Sequence, residues 1–437
     1  MMSDSATNEN LREGRGERGD FGKDQGVGMK KGWQTKQLGE LAELKGRIGW
    51  RGLTAKEYTK EGPMFLSVHS LNYGDYVDFR DAFHISEERY VESPEIMLQP
   101  NDVLICKDGA GIGKLGILGE LPDRATINSS LLLIRSGKHI LPKYLYRCLS
   151  SPYFQDIVQS RLNGATTPHL YQRDITEFPV VLPPLAEQQR IVGLLDEAFE
   201  GLVTAKANAE KNLQNARALF ESHLQSVFTQ RGPGWVEKPL GDFCSFENGD
   251  RGTNYPSKSA RTATGIPFIN AGHLTDDGID LETMDYIPRE RFDLLSNGKI
   301  RKGDILFCLR GSLGKFASVG DLSEGAIASS LVIVRPDKTV LNDFLVAYFR
   351  SPLCTAMINR FKNGAAQPNL SAQSLRNFIA PVPPLAKQES VVEQITDLRE
   401  ETQRLARLYE RKHAALEALK KSLLHQAFTG KLQRLLD

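Results

Sequence analysis

The chain has 437 residues, 40% hydrophobic and 25% charged, with 55 Lys and Arg against 54 Asp and Glu. This is the length of two or three ordinary domains and the composition of a soluble globular chain, with no run near the ~18 apolar residues of a membrane helix. Five cysteines with no CxxC pair fit neither a disulfide framework nor a zinc ribbon, so a reducing cytoplasm is expected; the even charge balance excludes a protein that holds nucleic acid by charge alone.

Residues 1–31 (MMSDSATNENLREGRGERGDFGKDQGVGMKK) carry almost no large apolar side chains. Burial there cannot offset the entropy of ordering, so the segment is expected to be disordered, and Met29 is an alternative start. From residue 32 to 184 short strand-like runs dominate: VLIC at 103–106, SLLLIR at 130–135 and FPVVLP at 178–183, between Gly, Asn, Asp and Pro turns. A helix is expected at about 142–161, with Pro142 near its first turn. After Pro183–Pro184 comes a stretch to about 231 without Pro and with few Gly, which predicts one long helix starting just past the prolines.

The same order then returns. INSSLLLIR at 127–135 answers IASSLVIVR at 327–335, and NGATTPHL at 163–170 answers NGAAQPNL at 363–370. FPVVLPPLAEQQRIV at 178–192 answers FIAPVPPLAKQESVV at 378–392. Upstream the offset drifts from 200 to 202, where NDVLIC at 101–106 answers GDILFC at 303–308. This is a duplication of ~200 residues, not a short solenoid period. It makes 232–384 a second globular part and 385–437 a second long helix with a tail.

Both helices carry a heptad seam. Val391, Ile395, Leu398, Thr402, Leu405, Tyr409, Lys412, Leu416, Leu419 and Leu423 follow steps of four and three, as do Ile191, Leu195, Ala198, Leu202, Ala205, Ala209, Asn212, Ala216, Leu219 and His223. Eight of ten are apolar in each set, which predicts coiled-coil packing of one helix on the other. Each helix would be ~65 Å long, about two turns of B-DNA. If the two run antiparallel, the globular parts are related by an approximate two-fold axis. The fold class expected is α+β: two duplicated mixed domains separated by a pair of long antiparallel helices.

This layout resembles the specificity subunit of type I restriction–modification systems. The likeness rests on PPLAEQ and PPLAKQ, the NGATTPHL and NGAAQPNL loops before them, the long helices after them and the duplicated order. Lys387 stands where the family pattern has Glu. The resemblance implies that 32–184 and 232–384 are target recognition domains, each reading one part of a split, asymmetric DNA site. It implies that the helices set the spacing and carry two modification subunits. Those partners would hold S-adenosylmethionine and methylate adenine, a separate restriction subunit would cleave, and this chain would hold no cofactor or metal.

Enzyme signatures are missing, in agreement. Leu182 and Val382 precede the Pro-Pro pairs and Leu185 and Leu385 follow them, so neither forms the Asn/Asp-Pro-Pro-aromatic motif of an amino-methyltransferase. DGAGIGKL at 108–115 approaches a P-loop, but Asp108 and Leu115 stand at the glycine and Ser/Thr positions it needs. The histidines show no paired zinc spacing. A duplicated structural adaptor that binds protein rather than DNA is the alternative, and an enzyme fragment a more remote one.

For DNA reading three sets of loops stand out. The first holds Lys107, Gly109 and Lys114, matched by Arg310, Gly311 and Lys315, where backbone amides and cations could meet phosphates; its bland alternative is a tight hairpin with solvated charges. The second holds Arg161, Asn163, Thr166, Thr167, His169 and Gln172, matched by Arg360, Lys362, Asn363, Gln367, Asn369 and Gln373. Asn and Gln can pair with adenine and Arg with guanine, although an ordinary interdomain loop would look similar. The third holds Arg251, Asn254 and Tyr255, together with Ser67, His69 and Asn72 and their counterparts Asn270, His273 and Thr275, although a lone histidine is more often structural. Residues 32–184 hold 17 basic and 18 acidic side chains and residues 234–383 hold 17 and 16, so any positive face is made by arrangement.

Overall fold

A computed structural model describes residues 32–47, 53–162, 169–364 and 368–428, without the side chain of Arg161. The N-terminal segment expected to be disordered lies outside them. The chain divides into two compact units: residues up to Ala205 together with the segment from Ala415, and the continuous stretch Lys206–Ala414.

In the first unit a four-stranded antiparallel sheet runs in the order Ala42–Gly46, Leu131–Ser136, Val103–Cys106, Leu115–Ile117. Its two central strands read as unbroken apolar runs because both faces are covered. Val103, Ile105, Leu132 and Ile134 face the helical core with Tyr144, Leu145 and Phe178. Leu104, Cys106, Leu131 and Leu133 face a second cluster with Met64, Leu66 and Ile127. These last come from a three-stranded sheet in which Tyr58–Leu66 lies between Phe83–Ile85, antiparallel, and Ala125–Ile127, parallel.

The second unit repeats this with Cys244–Asn248, Leu331–Pro336, Ile305–Cys308 and Phe316–Ser318, beside Ile266–Ile269 flanked by Asp285–Ile287 and Ala326–Ile327. Ile305, Phe307, Val332 and Val334 face its helices, while Leu306, Cys308, Leu331 and Ile333 face the smaller sheet. The duplication in sequence is a duplication of topology.

Each globular part is closed where it meets its helix. Gln34–Gln37 pairs antiparallel with Pro179–Leu182, and Val236–Pro239 with Ile379–Val382. Two residues past each Pro-Pro-Leu-Ala cluster a glutamine is fully buried. Gln188 Oε1 accepts from the Leu141 N–H at 2.8 Å, and its Nε2 donates to the His139 and Pro183 carbonyls at 3.0 and 2.9 Å. Gln388 repeats this with Leu341, Thr339 and Pro383 at 2.8, 2.9 and 2.9 Å. One side chain thus fastens the helix start to the turn before the next core helix.

The expected helix at 142–161 is two helices, Pro142–Leu149 and Pro152–Leu162, copied as Asn342–Arg350 and Pro352–Phe361. Pro152 and Pro352 lack the N–H a continuing helix needs and push the preceding residue to extended backbone. Ser351 takes that conformation, ψ 150°, and its Oγ caps the new helix at Cys354.

The long helices run Leu185–Thr229 and Leu385–Phe428. Within the second unit they pass antiparallel, with Glu210 against His413 at 3.3 Å and Arg217 against Glu410 at 3.4 Å. The heptad seams hold only in part. Leu219 and Leu419 are exposed (54% and 47%), while Phe220 and Lys420 are half-buried and Leu224 and Leu424 buried. Beyond Ala216 and Leu416 the buried face therefore moves one residue on. A straight helix has 3.6 residues per turn, and a strict 3.5-residue repeat drifts off its face unless the pair supercoils.

Candidate nucleic-acid interface

The two glycine-containing loops are joined in each unit. Strand Val103–Cys106 runs into Lys107 and strand Ile305–Cys308 into Leu309. The Lys107 carbonyl accepts from Leu170 N–H and the Leu309 carbonyl from Leu370 N–H, both at 2.9 Å. One residue on, Asp108 bridges to His169 and Arg310 to Asn369 in the same antiparallel manner. Asn363 and Asn369 also exchange backbone bonds at 2.8 and 2.9 Å, which closes the second loop. The first candidate loop and the described residues of the second thus form a single ledge in each half.

A third wall escaped the sequence reading. The Lys107 N–H donates to the Ser130 carbonyl and the Leu309 N–H to the Ser330 carbonyl, both at 2.8 Å. This brings the Ser-Ser turns of INSS and IASS to the ledge. Arg251 donates to the Ser329 carbonyl at 3.2 Å, so its loop adjoins that turn. Their presence in both copies was the available signal.

Gly109 and Gly311 have φ of +82° and +79°, a region that favours glycine, and nothing lies within 4 Å of where a Cβ would stand. The ledge is therefore open to close backbone approach at both places. Lys114 is exposed and donates to Asn72 Oδ1 at 2.6 Å; Lys315 is exposed and donates to the Ala271 carbonyl at 3.0 Å. These bonds tie the first loop to the turn carrying Ser67, His69 and Asn72, and its copy to the turn of Asn270 and His273.

The remaining candidates separate by environment. Gln172 is exposed yet donates to the Leu44 carbonyl at 3.1 Å, Asn254 donates to the Leu294 carbonyl at 3.1 Å, and Tyr255 packs edge-on against Phe268. These bonds hold loops in place. His273 is buried and its Nδ1 accepts from the Asn270 N–H at 3.2 Å, a local turn contact. Arg360 lies over the Phe361 ring, Lys362 donates to Asn359 at 3.0 Å, and Gln373 is exposed. Asn163, Thr166, Thr167 and Gln367, with the side chain of Arg161, lie outside the described residues.

The electrostatics of the ledge differ between the halves. Burial alone would raise the Asp108 pKa, but bonds from Lys107 Nζ at 3.0 Å and from His169 Nδ1 hold it below the ordinary carboxylate value. Asp108 is therefore a carboxylate at neutral pH. Arg310, at the equivalent bridge, is exposed and has no side-chain partner among the described residues. Cys106 and Cys308 sit fully buried beneath the ledge, and burial pushes both thiols up. Among the described residues no group of three or more His, Cys, Asp or Glu could hold a metal ion, and no helix is long and apolar enough to cross a membrane.

The family described as the type I restriction modification DNA specificity domain matches residues 30–213 and 233–410. The type I restriction enzyme MjaVIII specificity subunit of Methanocaldococcus jannaschii is 22% identical over 78% of this chain and 82% of its own length. Two solved structures share the fold. One, from work on complex assembly and conformational transition of the type I R-M system, has a TM-score of 0.75 at 18% identity, covering 92% of this chain and 99% of that one. The other is the HsdS subunit from Thermoanaerobacter tengcongensis, with a TM-score of 0.57 at 19% identity, covering 92% and 98%.

Proposed function

This chain belongs to the type I restriction modification DNA specificity family, and we propose that each globular half reads one part of a bipartite, asymmetric DNA site. The observation that supports this is the ledge: the same backbone bridge in both halves carrying different side chains. Shared elements, the glycines and Lys114 with Lys315, suit contacts common to all DNA, namely phosphates. Unlike elements suit base edges, which alone distinguish one sequence from another. The boundaries for this reading are residues 32–184 and 232–384 for the recognition domains.

The chain acts as the DNA-specificity subunit of a type I restriction–modification complex. The long helices set the distance between half-sites and dock two modification subunits. S-adenosylmethionine and adenine methylation belong to those partners, cleavage to a restriction subunit, and the complex works in the cytoplasm. Near-neutral recognition domains are in keeping with this, since partners that share the phosphate contacts relieve this chain of supplying all the charge. The adaptor reading is not favoured.

The test exchanges residues 32–184 for the equivalent domain of a relative and maps the sites modified by the complex. One half of the site changes and the other stays. Change in both halves, or in neither, would mean that the halves are not independent readers.

A further inference from the structure

We propose that the bridged pairs Asp108–His169 and Arg310–Asn369 are the specificity-determining residues of the two ledges, and that they select bases of opposite hydrogen-bonding character. This rests on the reading of the ledges as DNA interfaces.

The argument starts from equivalence. Asp108 and Arg310 follow the same strand, precede a glycine of the same positive φ, and bridge to the same position of the second loop. The neighbouring backbone bonds, Leu170 to Lys107 and Leu370 to Leu309, have the same length of 2.9 Å. The scaffold is common, and its bridging position carries a carboxylate paired with Lys107 in one half and, in the other, a guanidinium with no side-chain partner among the described residues.

In the first half the pair is an acceptor surface. Because a carboxylate only accepts, the bond at Asp108 places a proton on His169 Nδ1, and the tautomer it selects presents Nε2 as an acceptor. Nε2 makes no hydrogen bond among the described residues. Asp108 fixes the ring through Oδ1 and takes Lys107 on Oδ2, and the remaining lone pair of each oxygen can still accept. An acceptor surface suits a base with an exocyclic amine in the major groove, adenine N6 or cytosine N4. It disfavours guanine, whose N7 and O6 are both acceptors.

In the second half the pair is rich in donors. Arg310 offers a planar fork of N–H groups that matches guanine O6 and N7, and the Asn369 amide N–H groups add donors beside it. Both side chains are exposed. The second half-site therefore contains a guanine read by Arg310, and the first contains an adenine or cytosine opposite Asp108 and His169.

The test transplants the pair. The complex reconstituted with its modification subunits selects sites from a randomised duplex pool, using the wild-type chain, the Asp108→Arg/His169→Asn variant and the reciprocal Arg310→Asp/Asn369→His variant. The expected result is a new preference for guanine, about tenfold or more, at one position of the first half-site, with the second half-site unchanged. The reciprocal variant loses guanine from the second half-site alone. If the wild-type complex selects no sequence, the reading of the ledges as DNA interfaces fails. If it selects a bipartite site and an assembled variant keeps both half-sites, or weakens equally on all sequences, the pairs are not the readers and the proposal is overturned. Two variants in two separate halves guard against one failing to fold.

Discussion

Replacing Gln388 by leucine, a side chain of similar volume, removes three hydrogen bonds and little else. The glutamine is fully buried, and the three bonds it makes span 2.8 to 2.9 Å. Leucine leaves the Leu341 N–H without a partner and strips one bond each from the Thr339 and Pro383 carbonyls. A buried polar group left unsatisfied costs roughly 1–3 kcal/mol. The orphaned N–H contributes about 2 kcal/mol, and the two carbonyls, each with a second lone pair, about 1 kcal/mol together. The expected loss is about 3 kcal/mol, or roughly a hundredfold in the local opening equilibrium. Native-state hydrogen exchange read by mass spectrometry measures it, because the peptides around Gln188 in the first unit act as an internal control. Protection in the second unit falls while that in the first is unchanged. Gln388→Glu adds a sign. Burial raises the pKa of the new carboxyl above its unfolded value of ~4.3, so the folded state binds the extra proton. Stability is then greatest below ~4.3 and falls as pH rises through the folded value. Equal protection of Gln388→Leu and wild type, to within ~0.5 kcal/mol, would show that water or the backbone replaces the glutamine and that the motif fastens nothing.

Two further predictions concern charge and length. Burial alone would raise the Glu247 pKa, but bonds from Arg335 and from the Gly298 N–H hold it below the ordinary value. It therefore contributes stability above ~4.3 that is lost as pH falls through the folded value. Glu247→Gln should flatten the acid limb of unfolding below about pH 4 in the second unit, while the first, with Lys45 at the equivalent strand position, keeps its profile. Inserting four residues after Leu213 adds ~6 Å of helix, close to two base pairs at ~3.4 Å each, and turns the distal part of the helix by about 40°. The modified site should keep both half-sites and gain a longer gap; an active variant with the original gap would assign the spacing to the partner subunits.

The duplication and the long helices were legible because both are patterns along the chain. A repeat declares itself in two copies, and a helix without proline declares itself by its apolar spacing. What was not legible depended on partners distant in sequence. Gln172 is a candidate base reader by its loop, and that it also donates to the Leu44 carbonyl, 128 residues away, no local pattern shows. The contacts of Asn254 with the Leu294 carbonyl and of Tyr255 with Phe268 likewise join separate segments of the chain. The glutamine of the Pro-Pro boundary stands out in sequence only by its recurrence, and its three bonds follow from burial. Local signals were also passed over: Pro152 and Pro352 announce the break in the core helix. The seam's shift beyond Ala216 and Leu416 follows from 3.6 residues per turn. Asp108 entered the sequence reading only as a flaw in a P-loop, and its bridge to His169 gives it a place on the ledge.

The division into a continuous and a discontinuous unit bears on how the molecule is made. The second unit, Lys206–Ala414, holds all its parts in one stretch, so it can close as soon as that stretch has left the ribosome. The first unit cannot. Phe428 packs edge-on against Tyr144 at 5.2 Å, and Leu424 and Ala427 join the core of Ile191, Leu195 and Phe199. Those apolar surfaces are synthesised early and wait for residues that follow the whole second unit. The half that is translated first is completed after the other, and a chain arrested at about residue 415 would carry a finished second unit and an open, adhesive first one.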